Sequence, residues 1–283
     1  MWLRFIIIKP IGMALARKPK YNLRYSGEEH APFRGPFIVV ANHQTGVDVF
    51  AVGLAIRKVL SRSRMIPWAK MEIKRGREGL LGWILWHYLG TIPIDRDAAD
   101  EAPKAIKKSL EHLRKGRIIF VHPEGTRSGD RELGPFMYGV ANLARAVPAP
   151  VLPVGIHRRE GDGGIQVRIG VPFFMPDLEP EKEKEQDELE RQGRGLVRQV
   201  DSLKEWARGL NRDKKGMKLM AGMVALALDA VTRLEQKMGH DRFLRVASRA
   251  DNEYLRDRIL ELLPPGWEKA EDRPAGPNRG GGA

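Results

Sequence analysis

Residues 37–48 read FIVVANHQTGVD, and this stretch decides the fold. Phe37–Ala41 is a short apolar run rich in β-branched residues, which is typical of a buried strand. Polar residues follow, and apolar residues then recur at helical spacing from Val47 to Leu60. A buried strand that leads through a short polar turn into a helix is the building unit of α/β domains.

The same alternation of strands and helices continues along the chain. Further strands are predicted at 65–69, 91–94, 118–121, 151–156 and, at an expected sheet edge, 165–169. Further helices are predicted at 80–89, 99–115 and 136–147, the second of them closed by Gly116. The sequence therefore predicts a single α/β domain in which helices flank a largely buried mixed sheet.

Composition divides the chain into four parts. Residues 1–33 form an amino-terminal segment with a predicted membrane-associated helix, and residues 34–178 form the α/β domain. Residues 179–263 are dense in mixed charge and predict a helical extension, in which the apolar run 217–228 is expected to pack back on the domain. Residues 264–283 are rich in proline and glycine, and they are predicted to be a disordered tail.

The charge of the chain indicates a membrane partner. The 283 residues carry a formal net charge of +13 and no cysteine, so a thiol nucleophile is excluded. Cations from Arg4 to Arg24 are interleaved with apolar residues, as in a helix that lies in the headgroup region of an anionic membrane. The uncharged stretch 79–94 is too short to span a bilayer, but its aromatic residues suit the interface. Ordinary solvated surface is the alternative, and no nucleic-acid-binding motif is present.

The first candidate site follows the strand 37–41. His43 lies where open α/β sheets place ligands, at the carboxyl end of a strand. If the turn brings Asp48 to one imidazole nitrogen of His43, the other nitrogen becomes a general base. Such a pair could deprotonate a substrate hydroxyl without an enzyme nucleophile. The alternative is a helix cap, because Thr45 and Asp48 are spaced like a capping pair.

The second candidate site is His122–Ser128, HPEGTRS, which follows the strand 118–121. Gly125 allows a close approach of backbone amides to an anion, and Arg127 can bind phosphate through two parallel hydrogen bonds. An ordinary polar turn is the alternative, because proline, glycine, threonine and serine all favour turns.

Together, the two motifs resemble those of the glycerophospholipid acyltransferase family. Its members carry Asn-His-x-x-x-x-Asp and then Phe-Pro-Glu-Gly-Thr-Arg-Ser in the same order, as NHQTGVD and HPEGTRS do here. Two further family blocks are similar to Gly90–Arg96, GTIPIDR, and Val151–Val154, VLPV. The resemblance covers roughly residues 35–175.

The resemblance implies an enzyme of phospholipid biosynthesis. It would move a fatty acyl group from acyl-CoA or acyl carrier protein to the free hydroxyl of a lysophospholipid, 1-acyl-sn-glycerol-3-phosphate, and give phosphatidic acid. His43 would be the general base and Asp48 its partner, with no covalent enzyme intermediate, metal or further cofactor. The implied substrate-binding residues are Arg96, Glu124, Gly125, Thr126, Arg127 and Pro153. The enzyme would work at the cytoplasmic face of the cell membrane as a peripheral or monotopic protein.

The sequence departs from the family pattern and leaves rival functions open. His122 and Pro93 stand where the family has aromatic residues, and Met137 stands where a lysine is common. Because that lysine is a plausible phosphate contact, a different lysolipid acceptor is an alternative. A catalytically silent membrane-binding module is another. A rival from a different class is a metal-dependent hydrolase, whose ligands would come from His43, Asp48, His122, Glu124 and His157.

Overall fold

The computed structural model describes residues 21–70, 90–94, 101–128, 131–147, 149–176 and 249–270, with the single positions 222 and 229. Several predictions lie outside these residues. They are the amino-terminal helix before residue 21, the helix at 80–89, the apolar run at 217–228 apart from position 222, and the position of Arg96.

The described residues form nine strands. They are β1 (Arg24–Ser26), β2 (Phe37–Ala41), β3 (Met65–Lys70), β4 (Ile92–Ile94), β5 (Ile118–Val121), β6 (Glu132–Leu133), β7 (Val151–Arg158), β8 (Ile165–Ile169) and β9 (Glu268–Lys269). Seven of these strands build one sheet in the order β1-β8-β7-β2-β5-β3-β4, and β6 pairs with β9. The strands from β7 to β4 are parallel, whereas β8 runs antiparallel to β7. The sheet is therefore mixed, as predicted.

Helices cover both faces of this sheet. Among the described residues they are α1 (Asp48–Ala55), α2 (Arg57–Leu60), α3 (Glu101–Arg114), α4 (Tyr138–Ala146) and α5 (Arg249–Leu260). α1 and α2 share one hydrophobic core with one face of the sheet, and α3, α4 and α5 share a second core with the other face. No helix in the described part of the chain combines the length and the apolar composition that crossing a membrane requires.

The central strand β2 shows why its sequence is apolar throughout. All five of its residues are at most 1% exposed. Ile38 and Val40 enter the core below α3, α4 and α5, whereas Phe37, Val39 and Ala41 enter the core below α1 and α2. A strand that is buried on both faces has no polar position, so its sequence reads as a continuous apolar run.

Two predicted helices differ in how well they agree with the structure. The helix predicted at 99–115 is confirmed as α3, and Gly116 follows it with a left-handed φ of 67°. The helix predicted at 47–60 is divided into α1 and α2, because Ile56 has φ −97° and ψ 23°. Both Ile56 and Val59 are buried in the core below these helices, so the apolar spacing continues across the break.

The edge of the sheet also differs from the prediction. Residues 165–169, predicted as an edge strand, form β8, which lies between β7 and β1. The edge strand is β1, which pairs in parallel with β8. A strand of three residues is too short to give a periodic signal in the sequence. The sheet therefore begins before residue 34, within the segment 1–33 that composition separates from the domain.

The carboxyl-terminal residues are part of the domain. α5 packs against α4 and β7, and its residues Leu255 and Ile259 enter the core of α3 and α4. β9 pairs in parallel with β6, and Trp267 packs against the same core. The prediction of a disordered tail is therefore wrong for residues 264–270. Their Pro-Pro-Gly sequence suggested a tail, but it forms the turn between α5 and β9.

Candidate active site

The two sequence motifs meet because β2 and β5 are neighbours. These strands are parallel, with Val40 opposite Val121, so their carboxyl ends lie at the same edge of the sheet. His43 follows β2 and His122 follows β5 at this edge. The Ser128 amide donates a hydrogen bond of 2.6 Å to the His43 carbonyl oxygen, which joins the two loops directly.

The predicted contact between His43 and Asp48 is present. His43 Nδ1 lies 2.9 Å from Asp48 Oδ2, and Asp48 is 1% exposed. Burial raises the pKa of Asp48, but the His43 hydrogen bond, the nearby His122 and the Thr45 hydrogen bonds outweigh it, and the pKa lies below its ordinary value. Asp48 is therefore ionised at neutral pH. Since a carboxylate only accepts hydrogen bonds, Nδ1 carries the proton and Nε2 carries the lone pair.

The contacts expected from the helix-cap alternative are present in part, and they use the same carboxylate. Asp48 Oδ2 accepts hydrogen bonds from the Gln44 and Thr45 amides at 2.7 and 2.9 Å, and Oδ1 accepts one from Thr45 Oγ1 at 2.6 Å. Only the acid's half of a capping box is present, because α1 begins at Asp48 and its cap residue, Val47, makes no side-chain capping hydrogen bond. The turn nevertheless fixes the carboxylate in an orientation that meets His43.

Asn42 fixes the beginning of this loop. Its side-chain Nδ2 donates to the Ile156 carbonyl oxygen at 2.8 Å, and its Oδ1 accepts from the Ile156 amide at 2.7 Å. Asn42 is fully buried, and it continues the pairing of β2 with β7 through its side chain. The sequence indicated only a turn residue here, because the partner is 114 residues away.

Glu124 joins the two motif loops. Its Oε1 accepts hydrogen bonds from the His43 amide at 2.9 Å and Ser128 Oγ at 2.7 Å, and its Oε2 accepts one from the Gly134 amide at 2.8 Å. Burial raises the pKa of Glu124, and these hydrogen bonds offset the effect only in part. The side chain is directed into the protein and Glu124 is 7% exposed. This geometry is that of a positioning residue, whereas the family resemblance implied a phosphate contact.

Two residues of the second motif, Thr126 and Arg127, face solvent. Gly125 has a left-handed φ of 68°, which favours glycine, and Thr126 and Arg127 are exposed. A Cβ atom built on Gly46 would lie 3.7 Å from Arg127 Nη2, so the guanidinium lies beside the loop that contains His43. A cationic group therefore lies beside the loop of His43 at an accessible position.

Pro153 lies elsewhere in the sheet. It is buried in β7 opposite Val40, and a Cβ atom built on Gly170 would lie 2.9 Å from its Cγ and 3.1 Å from Leu262 Cδ1. The ring therefore lies close to the loop that follows α5. Of the predicted site residues, the described structure brings together His43, Asp48, Glu124, Gly125, Thr126 and Arg127.

His122 stacks against His43. The ring centroids are 4.1 Å apart and the ring planes differ by 15°. His122 Nδ1 lies 2.9 Å from the Ala41 carbonyl oxygen and must donate to it, so Nε2 is unprotonated. Nε2 is buried and has no hydrogen-bond partner in the described part of the chain. Burial and the neighbouring His43 lower the pKa of His122 to about 4, so the ring is neutral at neutral pH.

The stacking of His122 on His43 disfavours a metal site shared by these two residues. Donor atoms of His43, Asp48 and His122 lie within 4.8 Å of one another, which is close enough to suggest a metal site. A metal ion binds an imidazole nitrogen at about 2.0–2.1 Å along the lone pair, in the plane of the ring. The rings of His43 and His122 are nearly parallel, with an angle of 15° between their planes and 4.1 Å between their centroids. No point about 2 Å from a nitrogen of each ring therefore lies in both ring planes. The two imidazoles are therefore arranged for stacking rather than for shared coordination.

Comparison with known proteins gives consistent matches. Residues 22–157 match the family model described as Acyltransferase. The 1-acyl-sn-glycerol-3-phosphate acyltransferase alpha of Bos taurus is 31% identical over 60% of this chain and 61% of its own length. The 1-acyl-sn-glycerol-3-phosphate acyltransferase of Saccharomyces cerevisiae is 32% identical over 65% of this chain and 60% of its own. The matched region thus spans about three fifths of these relatives.

A solved structure is also similar. The crystal structure of the 1-acyl-sn-glycerophosphate acyltransferase PlsC from Thermotoga maritima has a TM-score of 0.43 and 28% identity. The match covers 71% of this chain and 81% of that chain.

Replacing His122 with phenylalanine, the residue that the family has there, should make the protein more resistant to acid. In the wild type, the unfolded state binds a proton near pH 6.5 and the folded state only near pH 4. The free energy of unfolding therefore falls as the pH is lowered through this window, by roughly 3 kcal/mol in total for this group. His122→Phe keeps a ring against His43 but removes the titration. Urea unfolding at several pH values between 7.5 and 4 should show a shallower loss of stability, and an unchanged slope would contradict the assignment.

Proposed function

We propose that the chain belongs to the acyltransferase family and that it transfers a fatty acyl group from acyl-CoA or acyl carrier protein to the free hydroxyl of 1-acyl-sn-glycerol-3-phosphate, giving phosphatidic acid. The observation that carries this proposal is the hydrogen bond of 2.9 Å between His43 Nδ1 and the buried carboxylate of Asp48. This contact leaves Nε2 as a base at an accessible sheet edge. The names of the similar acyltransferases support the choice of substrates.

In the proposed mechanism, His43 moves one proton twice. Nε2 takes the proton of the acceptor hydroxyl while the hydroxyl oxygen attacks the thioester carbonyl carbon. The tetrahedral intermediate then collapses, the carbon–sulfur bond breaks, and the protonated Nε2 gives its proton to the departing thiolate. Asp48 holds the ring in one tautomer and stabilises the imidazolium that forms between the two steps.

A direct attack by the substrate is favoured because nearby hydroxyl groups of the protein are engaged. Thr45 Oγ1 donates to Asp48, and Ser128 Oγ donates to Glu124. Neither hydroxyl donates to His43, and the chain contains no cysteine. An enzyme nucleophile activated by His43 would need such a hydrogen bond. We therefore propose a single transfer without a covalent intermediate.

The phosphate of the acceptor is assigned to Arg127. Its guanidinium is exposed beside the His43 loop, where it can meet an anionic headgroup whose hydroxyl reaches Nε2. We propose that Gly125 and Thr126 line the same position and that Arg96 completes the substrate site, whereas Pro153 is buried in β7 away from the motif loops. Glu124 would act through the hydrogen bonds that hold both loops.

Met137, where the family often has a lysine, is 46% exposed and uncharged, so a lysolipid with another headgroup is the alternative acceptor.

The base is tested by two substitutions. His43→Ala and Asp48→Asn should each lower kcat by at least about a hundredfold, the usual contribution of a positioned base. Thr45→Val is the matched control, because it removes a hydrogen bond to Asp48 without touching His43. It should cost about 1 kcal/mol of stability and keep most of the activity. Thiol release and lipid product are measured with both thioester donors over a panel of lysophospholipids.

These assays also separate the proposed reaction from the metal alternative. Activity of the purified wild type should persist after treatment with a chelator. Full activity of His43→Ala would exclude the proposed base. Loss of activity on chelation, restored by added metal, would favour the hydrolase.

The phosphate contact is tested with two acceptors. Arg127→Ala should raise KM for lysophosphatidic acid about tenfold or more, the effect of one charge-assisted hydrogen bond. KM for a monoacylglycerol acceptor, which lacks the phosphate, should change little. Arg34→Ala removes the same charge just before β2, at the opposite edge of the sheet, and serves as the control. Equal KM changes for both acceptors would show that Arg127 does not bind the phosphate.

We also propose that the enzyme works at the cytoplasmic face of the cell membrane as a peripheral or monotopic protein. The support is the amino-terminal segment, whose cations and apolar residues suit an anionic interface. The structure limits how this segment can be removed, because Tyr21 and Leu23 pack against the core below α1 and α2. A truncation that starts at Tyr21 keeps this packing intact.

The truncated protein should bind anionic vesicles more weakly than the full chain. Binding of the full chain should also weaken as salt is added, because surface charges are screened over about 10 Å at 0.1 M. Activity on a short-chain, dispersed acceptor should be kept, since His43 and Asp48 are outside the deletion. Vesicle sedimentation measures the binding. Wild-type binding by the truncated protein would show that residues 1–20 are not the anchor.

A further inference from the structure

The loop between β6 and α4, residues 134–137, takes part in the site through one hydrogen bond. The Gly134 amide donates to Glu124 Oε2 at 2.8 Å. The approach is close, since a Cβ atom built on Gly134 would lie 3.0 Å from that oxygen. Glu124 in turn accepts from the His43 amide. The position of Gly134 is therefore linked to the position of His43 through one carboxylate.

Two side chains of α5 hold this loop. Arg256 Nη2 donates to the Leu133 carbonyl oxygen at 2.9 Å, one residue before Gly134. The same Nη2 donates to the Ala270 carbonyl oxygen at 2.9 Å, and the Ala270 amide donates to the Leu133 carbonyl oxygen at 3.0 Å. Asn252 Nδ2 donates to the Phe136 carbonyl oxygen at 3.0 Å. The loop is thus tied to α5 on both sides of Gly134.

The Arg256 side chain is buried, and it joins α5 to the backbone of two other segments. Its side chain is 3% exposed, and its Nη1 donates to Glu253 Oε1 at 2.9 Å. A buried guanidinium needs hydrogen-bond partners, and here Nη1 meets a carboxylate and Nη2 meets two carbonyl oxygens. α5 itself is fixed by the buried pair Arg145–Asp251, with Nη2 and Oδ1 2.5 Å apart, and by Leu255 and Ile259 in the core.

We propose that Arg256 is a positioning residue of the substrate site. It fixes the Leu133 carbonyl oxygen, and through it the Gly134 amide, so that the Glu124 carboxylate holds the loop of Arg127 against the loop of His43. This inference rests on the proposed function for its kinetic readout. It extends the site beyond residues 22–157, the region that matches the family model.

The test compares three substitutions in α5. Arg256→Met removes the donors and keeps much of the side-chain volume. Arg258→Met removes the same charge from another position in α5, where Arg258 forms an exposed ion pair with Glu261. Ile259→Ala weakens the packing of α5 and calibrates the effect of lost stability. Melting temperature, kcat, and KM for acceptor and donor are measured for each variant in the full chain.

Arg256→Met should raise KM for lysophosphatidic acid about tenfold, in line with the loss of a charge-assisted hydrogen bond, and should change KM for the thioester less than twofold. Arg258→Met should behave as the wild type. Ile259→Ala should lower the melting temperature without this selective change in KM. Arg256→Lys keeps the charge but lacks the planar fork, so partial recovery is expected, and it replaces Arg256→Met if that variant does not fold.

A double-mutant cycle separates positioning from general stability. If Arg256 acts through Glu124, the effect of Arg256→Met on acceptor KM should largely disappear in a Glu124→Gln background. The proposal is overturned if the two effects add, if acceptor KM stays within twofold of the wild type, or if Ile259→Ala reproduces the selective change.

A second measurement needs no substrate. Hydrogen exchange of the Gly134 amide should be faster in Arg256→Met than in Ile259→Ala at matched stability, because the Leu133 carbonyl oxygen loses its cationic partner. Unchanged exchange would overturn the inference even if the enzyme is active. An inactive wild type with faster exchange in Arg256→Met would contradict the proposed function and leave the structural link intact.

Discussion

The backbone hydrogen bonds between β2 and β5 bring together two loops that are distant in sequence. His43 and Glu124 are 81 residues apart, yet the carboxyl ends of the two strands place the His43 amide on the Glu124 carboxylate. Parallel strands in adjacent positions have their carboxyl ends at one edge, so any loop that follows β2 meets a loop that follows β5. The flanking helices and the second core support this pairing, because both strands are buried on both faces.

Two buried carboxylates then fix the local geometry in different ways. Asp48 takes its partners from the turn in which it lies, and its pKa is below the ordinary value. Glu124 takes its partners from three separate segments, and its pKa is above the ordinary value because burial outweighs its hydrogen bonds. A buried charge is costly unless it is hydrogen-bonded, so each carboxylate selects the backbone conformation that supplies its donors. Asp48 orients the His43 ring, and Glu124 sets where His43 lies relative to the second loop.

The sequence predicts the contacts of Asp48 much better than it predicts the contacts of Glu124. His43, Thr45 and Asp48 are within six residues, and local spacing determines their contacts, so the contact of His43 with Asp48 is predicted. The role of Glu124 depends on Gly134, whose amide carries no signal in the sequence. Arg256 is predicted only as part of a charged extension, because its partners are carbonyl oxygens of Leu133 and Ala270. Strands of two or three residues, such as β1 and β9, are missed for the same reason, since they are defined by their partners and not by a periodic pattern.

The contacts of α5 also set an order of assembly during synthesis. Asn252 follows its partner Phe136 by 116 residues, so the loop after β6 leaves the ribosome long before the side chains that hold it. At about 5–20 residues per second, this interval is roughly 6–23 s. During that time the seven-stranded sheet and the turn that contains His43 and Asp48 can already form, because all of their residues precede α5, whereas β6 must await its partner β9. A nascent chain can thus hold the His43–Asp48 pair before the Glu124 loop has its final support, and the site is completed only after α5 has been synthesised.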